Sequence, residues 1–188
     1  MTPPTSRTWS RQGHTPVVHV RGRSRRRVSV AALCCYRPGE RSRLIYRPLF
    51  HSAFDSTTPA GRRSFAWTDF RDLPIAAHRQ LGAPLVLIWD NLNTHRAASL
   101  RTFIAEHDWI TAFHLPPYAP DLNPVEGIWS LLRRSSQANT AFNEPGQFVR
   151  ALRRGIRKIQ YSSNLIDGCL TATGLTITNH ATTRPQGQ

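Results

Sequence analysis

Pro84–Trp89 reads PLVLIW, six apolar residues without a charge, and the chain then turns to an acid, Asp90. A continuous apolar run of this length predicts a β-strand buried on both faces, and such strands lie inside α/β sheets covered by helices. A carboxylate at the C-terminal end of such a strand stands where open α/β sheets place their ligand sites. Leaving apolar surroundings, it is costly to bury unless it is paired or binds a cation. The plainer reading of Asp90 is a turn-forming Asp-Asn pair ahead of a helix cap.

The flanking segments supply partners for that strand. Thr15–Val20 alternates as a strand does, Gly22–Arg26 (GRSRR) is a basic turn, and Arg27–Tyr36 is apolar and rich in small side chains. Arg37–Glu40 (RPGE) is a turn, and Ser42–Leu49 a third strand, so the N-terminal third predicts an antiparallel meander. Trp67–Leu81 has helical spacing, with Pro74 inside it. After Asp90, Arg96–His107 predicts a helix capped by Thr94, Trp109–Leu115 a strand, and Pro124–Ser135 a helix with Asn123 at its cap. Phe148–Ile159 predicts a basic amphipathic helix. The expected organisation is an extended arm over 1–14, one domain over 15–160 and a C-terminal tail over 161–188. Its class is α/β, a mixed sheet with helices on both faces.

A second carboxylate follows Asp90 by 36 positions. Glu126 lies in Leu115–Ser130 (LPPYAPDLNPVEGIWS), where four prolines stiffen the approach to a helix. One helix and one strand separate the two acids, so the chain returns to the same edge of the sheet, and Glu126 enters the first turn facing Asp90. Its plainer role is to complement the helix dipole. Together, the strand-end Asp and the rigidly held first-turn Glu make an oxygen-ligand site for Mg²⁺ or Mn²⁺. Two such metals, roughly 4 Å apart, activate a water or a 3′-hydroxyl and stabilise the leaving oxygen in phosphoryl transfer. His95 stands at the following helix start, placed either to contact a DNA phosphate or a ligand, or simply to pack. Arg133 and Arg134 either grip phosphate or form a solvated face.

Charge points to the partner. The chain has 25 Arg and Lys against 11 Asp and Glu, a net charge of +14, and residues 1–50 hold 11 arginines and one acid, Glu40. Such an excess predicts a polyanion, above all DNA, because each Arg–phosphate contact releases counterions. The plainer source is GC-rich coding, visible in Lys158 being the only lysine. Cys34, Cys35 and Cys169 have no metal spacing and read as free thiols. No apolar run approaches the roughly 18 residues of a membrane span. No signal peptide follows the N-terminal arginines. The expected location is therefore cytoplasmic.

Two segments carry a family resemblance. Leu87–His95 (LIWDNLNTH) and Leu115–Arg134 (LPPYAPDLNPVEGIWSLLRR) resemble the second and third catalytic segments of the IS630 family of DDE transposases, in the Tc1/mariner superfamily. Arg7–Val18 (RTWSRQGHTPVV) resembles the stretch after that family's first catalytic segment. The resemblance implies an RNase H-like fold, Mg²⁺ dependence, and DNA cleavage with strand transfer at insertion-sequence ends. It implies Asp90 and Glu126 as catalytic metal ligands and a dimer bridging two DNA ends. The family's first Asp lies on a central strand upstream of the segment that Arg7–Val18 resembles. No acid precedes Glu40, and Asp55, Asp69 and Asp72 follow no apolar strand. The expectation is an N-terminally truncated domain without its first central strand, inactive alone, with the missing part supplied by an upstream-encoded polypeptide. The alternative is a non-catalytic basic DNA-binding protein, a truncated competitor or pseudogene product.

Overall fold

The computed structural model describes residues 10–15, 17, 28–50, 64–135, 137, 138, 140, 142 and 145–177. Most of the strand expected over Thr15–Val20, and Asp55, lie outside these residues. Two antiparallel strands follow, β1 (Val28–Cys35) and β2 (Arg43–Phe50), with Val28 opposite Phe50 and Cys35 opposite Arg43. Helix α1 (Trp67–Leu81) leads into β3 (Leu85–Trp89), α2 (Ala98–Ala105) into β4 (Ile110–His114). A 3₁₀ turn (Pro120–Leu122) then opens α3 (Pro124–Ser135), and α4 (Pro145–Gln160) and α5 (Ser163–Thr171) follow. β3 and β4 are parallel, in register from Leu85–Ile110 to Trp89–His114.

The pleat of β1 divides the core. Val28, Val30, Ala32 and Cys34 face α3, α4 and α5, where Leu44, Ile128, Leu132, Leu152, Ile156 and Ile166 are buried. Ala31, Leu33 and Cys35 point the other way, onto Leu73 and Ala77 of α1. Alternation sends successive side chains to opposite faces, so both faces of β1 are covered. Helix α1 also packs Phe70 against Leu87 and Trp89, and so lies across both strand pairs. Its Pro74 is fully buried, and the helix runs through it. Asp69 is 4% exposed, accepts from the Ala66 N–H at 2.8 Å, and pairs with Arg47 of β2 at 3.3 Å. Asp72 also pairs with Arg47, at 3.4 Å. Both acids thus tie α1 to β2.

Several expectations need correction. The strand over Pro84–Trp89 is buried on one face only: Leu87 and Trp89 are inside, whereas Val86 is 69% and Ile88 58% exposed. The inner face meets α1 and α2. Among the described residues nothing covers the outer face, where Phe113 of β4 is also exposed. Nor do the strands form one sheet: β1 pairs with β2 and β3 with β4, and no described strand joins the pairs. The stretch expected as a tail from 161 also contains α5, whose Ile166 and Cys169 sit in the core. Tyr36 donates to the Ile166 carbonyl at 2.9 Å, and Ser42 donates to Asp167.

The helix expected over Arg96–His107 is shorter, and Thr94 does not cap it: Ala97 stands at the cap. All three cysteines are free. Burial pushes the Cys34 thiol up to about 12 and the Cys35 thiol up to about 11, so both stay protonated and unreactive at neutral pH. No described helix is long and apolar enough to cross a membrane.

Candidate active site

Parallel pairing brings β3 and β4 to the same end of their sheet, and two further bonds extend it past the strands. The Leu115 N–H donates to the Trp89 carbonyl at 2.8 Å, and the Asn91 side chain donates to the Leu115 carbonyl at 2.6 Å. Asn91 thereby fastens the residue after Asp90 to the start of the proline-rich loop.

Asp90 leaves the sheet with its side chain 56% exposed. Oδ1 accepts from the Leu92 N–H at 3.1 Å, closing an Asx turn, and from His95 Nδ1 at 2.8 Å. His95 is 9% exposed. It stacks on Trp89 at 4.5 Å and meets the edge of Phe70 at 4.4 Å. Burial lowers the His95 pKa against the upward pull of Asp90, so at neutral pH the ring is uncharged and Nδ1–H is the donor. The histidine therefore aligns the carboxylate, and its burial leaves little surface for a phosphate. Both the turn-forming and the ligand readings of Asp90 are compatible with this geometry, because one oxygen is engaged and the carboxylate remains open to solvent. The Trp89 indole N–H is buried without a hydrogen bond among the described residues. It costs about 1–3 kcal/mol, which the stacking of His95 on the same ring partly offsets.

Glu126 is exposed in the first turn of α3. Asn123 caps that turn: its Oδ1 accepts from the Val125 N–H at 3.1 Å, and its carbonyl from the Glu126 N–H at 3.0 Å. A carboxylate here complements the positive end of the helix dipole. The turn is anchored from below by Ile128, fully buried, and by Gly127, which lies against α5. A Cβ on Gly127 would stand 2.9 Å from Cys169 Sγ and 3.1 Å from its Cβ. Gly127→Ala therefore forces α3 and α5 apart, and overpacking of this kind costs about 1–3 kcal/mol against the roughly 1 kcal/mol gained in helix propensity. The expected result is a lower urea midpoint. An unchanged or raised midpoint would show that the helices are not held at this contact.

Arg133 and Arg134 are exposed in the last turn of α3, the opposite end from Glu126. Sequence reasoning missed two features of the site. Gly127 carries a helix-to-helix contact that no local pattern announces. Tyr118 has φ 58° and a fully exposed ring in the proline-rich loop, a backbone state that is rare outside glycine and asparagine. Proline on both sides of the Tyr118–Ala119 pair was the available signal.

Two exposed carboxylates offer hard oxygen donors, the ligand type that Mg²⁺ and Mn²⁺ prefer. Among the described residues no three His, Cys, Asp or Glu side chains cluster as a metal site, so these two would supply only part of a coordination shell.

The chain is similar to several known proteins. The uncharacterized protein y4pE/y4sA of Sinorhizobium fredii (strain NBRC 101917 / NGR234) is 38% identical over 68 residues, which are 36% of this chain and 47% of that protein. The Mos1 strand transfer complex is similar over 94% of this chain and 52% of that one, with TM-score 0.52 and 14% identity. The Mos1 transposase paired-end complex with the left transposon end is similar over 92% and 51%, with TM-score 0.54 and 16% identity. The Mos1 mariner paired-end complex with Mn is similar over 95% and 53%, with TM-score 0.52 and 17% identity. The chain thus spans about half the length of these relatives, and the likeness to Mos1 is one of fold: mixed α/β and RNase H-like, as expected. Residues 2–148 match the DDE superfamily endonuclease family, so with most of its length inside that match the chain belongs to the DDE superfamily endonucleases.

Proposed function

We infer that Asp90 and Glu126 are two carboxylates of a metal-dependent endonuclease centre that cleaves and joins DNA in transposition of an IS630-like insertion sequence. The observation that carries this is the placement of the two acids: an exposed strand-end Asp aligned by a buried histidine, and an exposed first-turn Glu behind a stiff, capped loop. Family membership supports the reaction class. The Mos1 complexes with transposon ends and with Mn support DNA as partner and a divalent metal, Mg²⁺ or Mn²⁺, as cofactor.

When bound, such a cation activates the attacking water or 3′-hydroxyl and stabilises the leaving oxygen. The chain's own part is positional. His95 and the Leu92 N–H hold one oxygen of Asp90, leaving the rest of the carboxylate toward solvent. Asn91 ties the strand end to the loop, and Asn123 sets the start of the helix that presents Glu126. A rigid frame matters because a coordination site tolerates little drift.

The site is incomplete with two acids. β1 and β3 are each paired on one side only among the described residues, and the outer face of β3 is apolar and open. Unpaired edges of this kind accept a further strand. In this account polypeptide outside these 188 residues supplies that strand and, on it, the third carboxylate; the working assembly is a dimer that bridges two DNA ends. The test is a cleavage assay on duplex DNA carrying insertion-sequence ends, with Mg²⁺. The purified 188-residue chain is expected to leave the DNA uncut, and the chain joined to its upstream polypeptide to cut it. Cleavage by the 188 residues alone would overturn the incomplete site. Failure of the joined protein, with DNA binding retained, would favour the non-catalytic binding protein.

A further inference from the structure

Helix α4 carries a charge pattern that the candidate site does not use. Arg150, Arg153, Arg154, Arg157 and Lys158 recur along one face at helical spacing, and all five are exposed. Leu152, Ile156 and Ile159 occupy the opposite face and are buried. The helix contains no acid. Among the described residues none of the five makes an ion pair. Arg153 lies over the Phe50 ring at 5.4 Å, which steadies its guanidinium at the surface. Like charges one turn apart destabilise a helix, and this stripe stacks several such pairs without a counter-charge.

The imbalance extends beyond α4. Between Glu126 and Asp167 the sequence holds Arg133, Arg134 and the five cations of α4 against one acid, Glu144. Arg133 and Arg134 end α3, the helix on which α4 packs and whose first turn carries Glu126. At about 1.5 Å per residue the stripe is roughly 12 Å long. Each strand of a duplex presents a phosphate about every 3.4 Å of axis, so the stripe spans about three.

We propose that this face of α4 is a track for the phosphate backbone of duplex DNA, acting without divalent metal and independently of Asp90 and Glu126. The polyanion follows from the stripe itself; the choice of DNA rests on the endonuclease reading above. A track of this kind holds DNA on the body that carries Glu126 without reading its sequence.

The test compares two variants of the full chain with equal charge loss, each lowering +14 by three to +11. One is Arg150→Gln, Arg154→Gln, Arg157→Gln. The other replaces exposed arginines elsewhere: Arg37→Gln, Arg79→Gln, Arg101→Gln. Binding to a 30-base-pair duplex is measured in EDTA across a salt series. The α4 variant is expected to bind at least tenfold more weakly at 0.1 M salt, with the salt slope reduced by about 2 to 3 units, roughly 0.9 for each phosphate that is no longer neutralised. The control variant should change far less. Because like-charge repulsion is removed, the α4 variant should melt no lower than the parent, so weak binding cannot be ascribed to unfolding. Equal losses in the two variants would overturn the track and leave only bulk charge. Tighter binding of duplex RNA than of DNA would overturn the choice of partner. Asp90→Asn should leave this binding intact. Loss of cleavage when Asp90→Asn is placed in the joined protein, with unchanged binding in the α4 variant, would sink the track while sparing the endonuclease; the reverse pattern would do the opposite.

Discussion

Asp90→Asn and Glu126→Gln are each expected to lower the proposed Mg²⁺-dependent cleavage by the joined protein about a thousandfold, equivalent to some 4 kcal/mol of barrier. The amides keep the volume and one acceptor oxygen but lose the charge that a divalent cation requires. Asparagine at 90 can still accept from the Leu92 N–H and from His95, the two bonds that Oδ1 makes in the structure. The fold should therefore survive, and the check is kcat at saturating DNA beside the thermal midpoint. Retained activity in either variant would remove that residue from the centre. A fall in midpoint equal to that of a core truncation would show instead that the carboxylate is structural.

Ile128→Ala is expected to cost about 2–5 kcal/mol of stability, the range for truncating a fully buried aliphatic side chain. Ile128 is 0% exposed and belongs to the cluster that α3 shares with α4, α5 and β1. In a domain of this size each kcal/mol moves the midpoint by roughly 2–4 °C. Ile128→Leu, which keeps the volume, should cost less than about 1.5 kcal/mol. The site lies one turn from this anchor, so the alanine variant should also lose activity before it unfolds. A loss under about 1 kcal/mol would contradict the packing around α3.

Local pattern showed much of this in the sequence. PLVLIW and the proline-initiated helix at Pro124 are strong one-dimensional signals, and both elements form where they were expected. The apolar run of small side chains in Arg27–Tyr36 likewise anticipated β1. Sequence could not show how many faces of a strand are covered. An apolar residue such as Ile88 reads as core, yet it is exposed because its neighbours in space, not in sequence, are absent among the described residues. Helix α5 was hidden for a related reason: its few apolar residues, Leu165, Ile166 and Cys169, sit among polar ones and gain meaning only against α3. The placements of Asp90 at a strand end and Glu126 in a capped first turn were legible because those contexts are recognisable in sequence. The alignment of Asp90 by His95 required the Trp89 stack and the edge of Phe70, contacts set by tertiary packing.

The most direct test of the shared centre uses iron. With Fe²⁺ in place of Mg²⁺, ascorbate and peroxide generate hydroxyl radicals at the bound ion, and the backbone is cut beside its ligands. The account predicts two cut sites in the 188-residue chain, one near Asp90 and one near Glu126, both suppressed by excess Mg²⁺ and by either Asp90→Asn or Glu126→Gln. Cutting near only one of the two residues, indifferent to replacement of the other, would contradict a common metal site.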